Sequence, residues 1–254
     1  VQTPTLALIC RRYFENTQFK PEPYWEMVLS IASKEEFHVK SDKQYFDKKE
    51  AETVYSLLKE HNQATVIKTE TKQVKEEPPL LFDLAALQKA ANTKYGYSAD
   101  TTLSSAQRLY EKKYITYPRT GSRYIPDDVF NTIPSLLNDL LADPYYNKFA
   151  TTLLDTGVLN KKSVDASKVT DHHAILITGI MPVALNSMDE NIYRLVTEQF
   201  LKSFMPACIK DVTVIDMDCA GILFRVKGWV MKIQGWRALQ GKDDCDEAKE
   251  ENQE

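Results

Sequence analysis

Between Asp83 and Met205 the apolar residues of this 254-residue chain recur at helical spacing, and on both sides of that block they alternate as they do in strands. A chain with this order leaves a β-rich layer, builds a helical block and then returns to the layer it left. Inside the block, Asp83 can cap a helix over LAALQKAANTKY, which stops at Gly96, and SAQRLYEKK with the residues just before it carries Leu103, Ala106, Leu109 and Tyr110 at helical spacing. PDDVFNTIPSLLNDLL begins a further helix at Pro126, and Asp189 is the expected cap of DENIYRLVTEQFLKSF. Ahead of the block, Thr3 as N-cap and Pro4 at the first helical position predict an opening helix that ends before KPEPYW. YWEMVLSI, EEFHVK and ATVIKTETKQV then read as strands, with a helix at KKEAETVYSLLKEH between them. After Pro206, CIKDVTVIDMDCAGILFRVKGWVMKIQGW returns to strand composition, and no internal repeat is present. The class is α+β with more than one domain.

Several function classes drop out early. Cys10, Cys208, Cys219 and Cys245 are scattered with no C-x-x-C pair, so neither a zinc site nor a disulfide framework is indicated. No apolar run approaches the ~18 residues a membrane span requires, which predicts a soluble intracellular chain. The chain opens at Val1, inside the first expected helix, so an excised fragment is expected. A net charge of −4 argues against a nucleic-acid partner only as a sum. The last fourteen residues, GKDDCDEAKEENQE, hold seven acids and two lysines, net −5, which leaves +1 for the other 240. Within residues 107–125 five bases, Arg108, Lys112, Lys113, Arg119 and Arg123, face one acid, Glu111. On charge alone such a patch is an ordinary solvated face.

What this patch surrounds gives it chemical meaning. In YITYPRTGSRYIP, Tyr117 precedes Pro118 and is therefore pushed from helical toward extended backbone. Along an extended segment Tyr117 and Arg119 share one face and Thr116 takes the other. A phenol beside a fixed guanidinium suits phosphoryl chemistry, because arginine stays protonated, favours the phenolate and grips two phosphate oxygens. Gln107 and Glu111 are one helical turn apart, on a face that runs toward Tyr117. TDHHAILIT adds His172 and His173 ahead of an apolar run closed by Thr178, with no further metal ligands nearby.

The stretches VQTPTLALI at 1–9, LFDLAALQKAANTKYGYSADTTLSSAQRLYEKKYITYPRT at 81–120, DHHAILIT at 171–178 and GWRAL at 235–239 together resemble the type IA DNA topoisomerases, in their topoisomerase III-like branch. The AQRLYEKKYITYPRT run is long and specific. The resemblance implies that Tyr117 is the nucleophile of a 5′-phosphotyrosine intermediate and Arg119 the cation beside it. It implies DNA-binding or active-site-lining positions at Gln107, Glu111, Thr116, Thr120, Ser122, His172 and Thr178, with Gln2 in a single-strand groove. It further implies a toroidal core: residues 1–20 and 231–254 as parts of the base domain plus acidic tail, 21–82 and 206–230 as a β-rich arch, and 83–205 as the inserted helical domain carrying the tyrosine.

By the same resemblance, Mg²⁺ belongs to an N-terminal Toprim domain that this sequence lacks, so none is expected to be held by this chain. The implied partner is single-stranded DNA, with a helicase or single-strand-binding protein as a further partner of the whole enzyme. The implied setting is a monomer in the cytoplasm, associated with the nucleoid. Two departures stand out: Gly121 where the family usually has Asp, and Leu176-Ile177 where it usually has a pair ending in proline. Rep-type nickases and tyrosine recombinases place their histidines before the tyrosine, the reverse of this order. The rival reading is a non-catalytic module that holds single-stranded DNA through basic and aromatic residues.

Overall fold

The computed structural model describes residues 2–32, 36–61 and 63–239, divided into two compact units: Val1–Lys72 with Val212–Gly228, and Gln73–Asp211 with Trp229 onward. The expected α+β class is what the described residues form.

The first unit opens with α1 (Gln2–Thr17), which buries no residue. The helix already includes Gln2, so Thr3 is not its cap; Pro4 still falls in the first turn, where a missing N–H costs nothing. Strands β1 (Trp25–Ile31) and β2 (Phe37–Tyr45) pair antiparallel. Asp47 caps α2 (Lys48–Lys59), accepting from the Lys49 and Glu50 amides at 2.7 and 3.1 Å. With β3 (Thr65–Glu76), β4 (Cys208–Cys219) and β5 (Ile222–Ile233) the strands form one sheet in the order β1-β2-β5-β4-β3. The turn from β4 to β5 is Ala220-Gly221, both at positive φ (53° and 81°), the backbone a two-residue hairpin demands. Met27, Val39, Tyr45, Met217 and Phe224 from the sheet close over Ala51 and Leu58 of α2.

The second unit is helical: α3 (Leu84–Tyr95), α4 (Ala99–Glu111), α5 (Asp127–Phe130), α6 (Ile133–Asp139), α7 (Asn147–Thr156) and α8 (Ser187–Phe204). Asp83 caps α3 through the Ala86 amide at 2.6 Å, and Gly96 ends it at φ +70°. The α8 helix is the axis of the core, burying Ile192, Val196, Phe200, Leu201 and Phe204. Leu81 and Phe82, which composition assigns to the β-rich stretch, are buried in this same core.

One expected cap is corrected. The N-cap of α8 is Asn186, whose side chain accepts from the Asp189 amide at 2.9 Å. Asp189 lies inside the helix, 1% exposed, where its carboxylate receives Arg108 Nη2 at 2.6 Å, Arg108 Nε at 3.2 Å, Asn186 Nδ2 at 2.8 Å and the Ser105 hydroxyl. Burial alone would raise its pKa, but these donors outweigh burial and hold the carboxyl below the ordinary aspartate range. The pair bolts α4 to α8.

GWRAL is a second fastening. Trp236 Nε1 donates to the Glu76 carbonyl at 3.1 Å, and the Glu76 carboxylate takes Arg237 Nε at 2.9 Å and Lys210 Nζ at 2.9 Å. The Arg237 hydrogen bonds are the main reason that the Glu76 pKa is lowered. Gly235, at φ +52°, brings its backbone so close to the Ala207 carbonyl that a Cβ would lie 2.4 Å from it.

Candidate active site

Two segments of the helical unit meet at Tyr117: the stretch after α4, and the DHHAILIT run sixty residues later. The helix does not end because of Pro118. It ends at Glu111, seven residues earlier, in a Schellman turn, with the Lys113 amide donating to the Tyr110 carbonyl at 2.8 Å and the Tyr114 amide to the Leu109 carbonyl at 2.9 Å. Lys113 takes the left-handed conformation, φ 61°, that such a turn requires. Tyr114 then packs against the core that contains Leu109, fixing the direction in which the chain leaves the helix.

From there the backbone is extended, and it is paired. Thr116 N donates to the Leu176 carbonyl at 2.8 Å, Thr178 N to the Tyr114 carbonyl at 3.2 Å, and Ile115 bridges Ile177 with both side chains 1% exposed. The hydroxyls expected to line the site tighten this pairing. Thr116 Oγ1 accepts from Leu176 N at 2.9 Å and donates to the Ala174 carbonyl at 3.3 Å; the Thr178 hydroxyl donates to the Lys113 carbonyl. Thr120 Oγ1 donates to the His172 carbonyl at 2.8 Å and accepts from Ser122 N at 3.1 Å. The Ser122 hydroxyl donates to the Lys168 carbonyl at 2.9 Å. Thr120 and Ser122 are buried. These four side chains hold the segment in shape, and in this state their hydroxyls are spent on backbone partners.

Between the ties at Thr116 and Thr120 stands a short crest. Pro118 is buried, Tyr117 half-buried and Arg119 exposed. The Tyr117 ring is held from two directions: by Tyr110 of α4, edge to face at 5.3 Å between centroids, and by His172, tilted at 4.6 Å. Of the adjacent histidines, His172 faces the tyrosine, while His173 donates Nδ1–H to the Ala174 carbonyl at 2.7 Å. Gln107 and Glu111 share a face of α4 as expected, with Gln107 Nε2 donating to Glu111 Oε1 at 3.3 Å. Tyr110 lies between them on the helix; helical spacing puts it with the core stripe, yet it is 39% exposed.

The basic patch is smaller than its residue count. Arg108 is committed to Asp189, and Arg123 donates to the Leu81 and Leu80 carbonyls at 2.9 and 3.3 Å. Lys112, Lys113 and Arg119 remain, with no ion pair among the described residues. Gln2 is exposed on α1, in the other unit. No three His, Cys, Asp or Glu side chains are grouped to hold a metal ion among the described residues, and no helix there is long and apolar enough to cross a membrane.

Gly121 sits on the exposed side of the crest in ordinary backbone, and a Cβ added there would meet nothing within 4 Å. Gly121→Asp is therefore expected to leave the melting temperature within about 2 °C of the parent, as surface changes outside special backbone do. Differential scanning fluorimetry checks this, and a drop beyond about 5 °C would mean that the glycine is structurally required.

With this geometry in place, the chain can be set beside known proteins. The sequence description of the DNA topoisomerase family matches residues 1–254. DNA topoisomerase 3 of Shouchella clausii is 33% identical over 257 positions, covering 96% of this chain and 35% of the relative; the Bacillus licheniformis protein of that name is 34% identical over 264 positions, covering 99% and 35%. The chain thus spans about a third of the length of these relatives. Full-length topoisomerase I from Thermotoga maritima shares the fold, with a TM-score of 0.70 at 22% identity over 92% of this chain and 39% of that one.

Proposed function

We propose, from the premise that this chain belongs to the DNA topoisomerase family and to its type IA branch, that it is the tyrosine-bearing part of an enzyme that breaks, passes and rejoins single DNA strands. The observation that carries the reading is the crest: a half-exposed phenol, gripped by two rings, two residues from an uncommitted guanidinium.

The chemistry follows from those groups. Tyr117 Oη attacks a backbone phosphorus; the P–O3′ bond breaks, the phenol proton is lost, the departing 3′-oxygen gains a proton, and the 5′-phosphate stays on the tyrosine. One phosphodiester replaces another, so rejoining is the reverse reaction and needs no ATP. Arg119 offsets charge on the phosphoryl group as it transfers, the role for which a permanently protonated fork is suited. Lys112 and Lys113, on the turn before the crest, supply further contacts to the backbone of a single strand. His172, Gln107 and Glu111 line the approach to Tyr117, and Gln2 belongs to the single-strand groove.

Among the described residues no three His, Cys, Asp or Glu side chains are grouped to hold a metal ion; on this reading the Mg²⁺ of the whole enzyme belongs to residues outside this chain, and no step here runs through the ion. The wider reading is a toroid in which the β-rich unit contributes to the arch and the helical unit carries the tyrosine. The enzyme works as a cytoplasmic, nucleoid-associated monomer, alongside a helicase or single-strand-binding protein.

Three uncommitted bases limit the phosphates that can be neutralised. The chain is expected to bind single-stranded DNA with two to four phosphate contacts, a log–log salt slope of about −1.4 to −2.8. It is expected to form no covalent DNA complex alone, and to form one in the full-length protein supplied with Mg²⁺. Fluorescence anisotropy over a salt series and denaturing gels of labelled oligonucleotide read the two halves. Salt-independent binding contradicts the groove, and a full-length protein that binds but never cleaves supports the non-catalytic module instead.

A further inference from the structure

We propose that Tyr110 is a positioning residue for Tyr117, holding the phenol in line for attack; the inference rests on the reading of Tyr117 as nucleophile. In-line displacement requires the attacking oxygen about 3–3.5 Å from phosphorus along one axis, and small departures from that geometry are costly. Nothing in the backbone sets that aim. The crest fixes where residue 117 leaves the chain, but an aromatic side chain on extended backbone still has its χ1 wells to choose among.

Two rings restrict the choice. His172 lies at 4.6 Å from Tyr117 on one side, and the Tyr110 ring meets it edge to face at 5.3 Å and 74°, the arrangement favoured by the opposed charge of ring edge and face. His172 stands on an irregular segment outside any helix or strand, tied through its carbonyl to Thr120 Oγ1 at 2.8 Å. Tyr110 is anchored to the rigid part of the molecule. The residue before it, Leu109, is fully buried; the one before that, Arg108, is bolted to Asp189; and its own carbonyl closes the Schellman turn. At 39% exposure, Tyr110 contributes little to the core, so its ring can be removed with limited loss of stability. Tyr110 lies just outside the buried face of α4, formed by Thr102, Ser105, Ala106 and Leu109, and the contact its ring makes is with Tyr117.

The test uses the full-length protein with Tyr110→Ala and Tyr110→Phe. Single-turnover formation of the covalent DNA complex is expected to slow about 2- to 12-fold in the alanine variant, the worth of one aromatic pair, and to stay within 2-fold of the parent in the phenylalanine variant. Binding of single-stranded DNA, measured in a Tyr117→Phe background, is expected to be unchanged by Tyr110→Ala. The ring resonances of Tyr117 are expected to shift in the alanine variant and return in the phenylalanine one. Unchanged rates and resonances would overturn the proposal. So would a loss of affinity matching the loss of rate, which would make Tyr110 a stacking surface for DNA, or a phenylalanine variant as slow as the alanine one, which would assign the effect to the hydroxyl. Failure of the underlying reading is separately visible, as covalent complex that persists in Tyr117→Phe while the Tyr117 resonances still respond to Tyr110.

Discussion

Replacing Tyr117 by phenylalanine in the full-length protein is expected to remove the covalent DNA complex, a loss of at least about 10³-fold, without altering the fold. The substitution deletes one atom. The Tyr117 hydroxyl makes no hydrogen bond among the described residues, and the ring that meets Tyr110 and His172 is retained. Melting temperature and affinity for single-stranded DNA should therefore stay close to the parent, while labelled oligonucleotide no longer migrates with denatured protein. Arg119→Ala separates nucleophile from electrostatic helper: the attacking group remains, and the rate of complex formation is expected to fall by about 10²–10³-fold, the scale seen when one fixed donor to a developing charge is lost. Undiminished cleavage by Tyr117→Phe would remove the assignment.

The largest effect on stability is expected at Asp189. Its carboxylate is 1% exposed and receives Arg108, Ser105 and Asn186. Removing one partner of such a pair leaves the others unmatched, which costs about 3–5 kcal/mol. Arg108 keeps 43% of its side-chain surface in water, so the lower end applies. A loss of about 3 kcal/mol in Asp189→Ala corresponds to a drop of about 6–12 °C for a unit of this size. The effect depends on pH in a definite direction. Because the folded pKa is held below the unfolded one, the stabilisation is complete above the ordinary aspartate value near 3.9 and is lost as pH falls through the folded value. Parent and variant should therefore differ most at neutral pH and converge in acid, as thermal melts from about pH 7 to pH 3 would record. A difference under about 2 °C at neutral pH would contradict the role given to this pair.

The sequence carried the local parts of this structure and left out the non-local ones. Asp83 and Gly96 announce helix ends through chemistry confined to a few residues, and each does so in the fold. That the chain is no longer helical at Tyr117 was legible from Pro118. The partner of this segment was not, because the pairing of Ile115 with Ile177 closes a loop of about sixty residues, and nothing in either run specifies the other. The cap of α8 shows the same limit. Asn186 and Asp189 are both good cap residues by type, and the choice is decided by Arg108 on another helix. Thr116, Thr120, Ser122 and Thr178 were singled out as lining residues; their hydroxyls turn out to tie two segments together, a role visible only once both segments are in place. Tyr110 was hidden by its neighbour, since a period of 3.6 cannot separate the edge of a buried stripe from the residue just past it.

The nucleophile can be identified by chemistry alone. Full-length protein would be trapped on a labelled single strand, denatured, digested with protease and nuclease, and its nucleotide-bearing peptide sequenced by mass spectrometry. The expected peptide contains YITYPR with a 5′-linked nucleotide on Tyr117, and the released strand carries a free 3′-hydroxyl. A nucleotide on any other residue, or a strand attached through its 3′ end, would contradict the mechanism built on this crest.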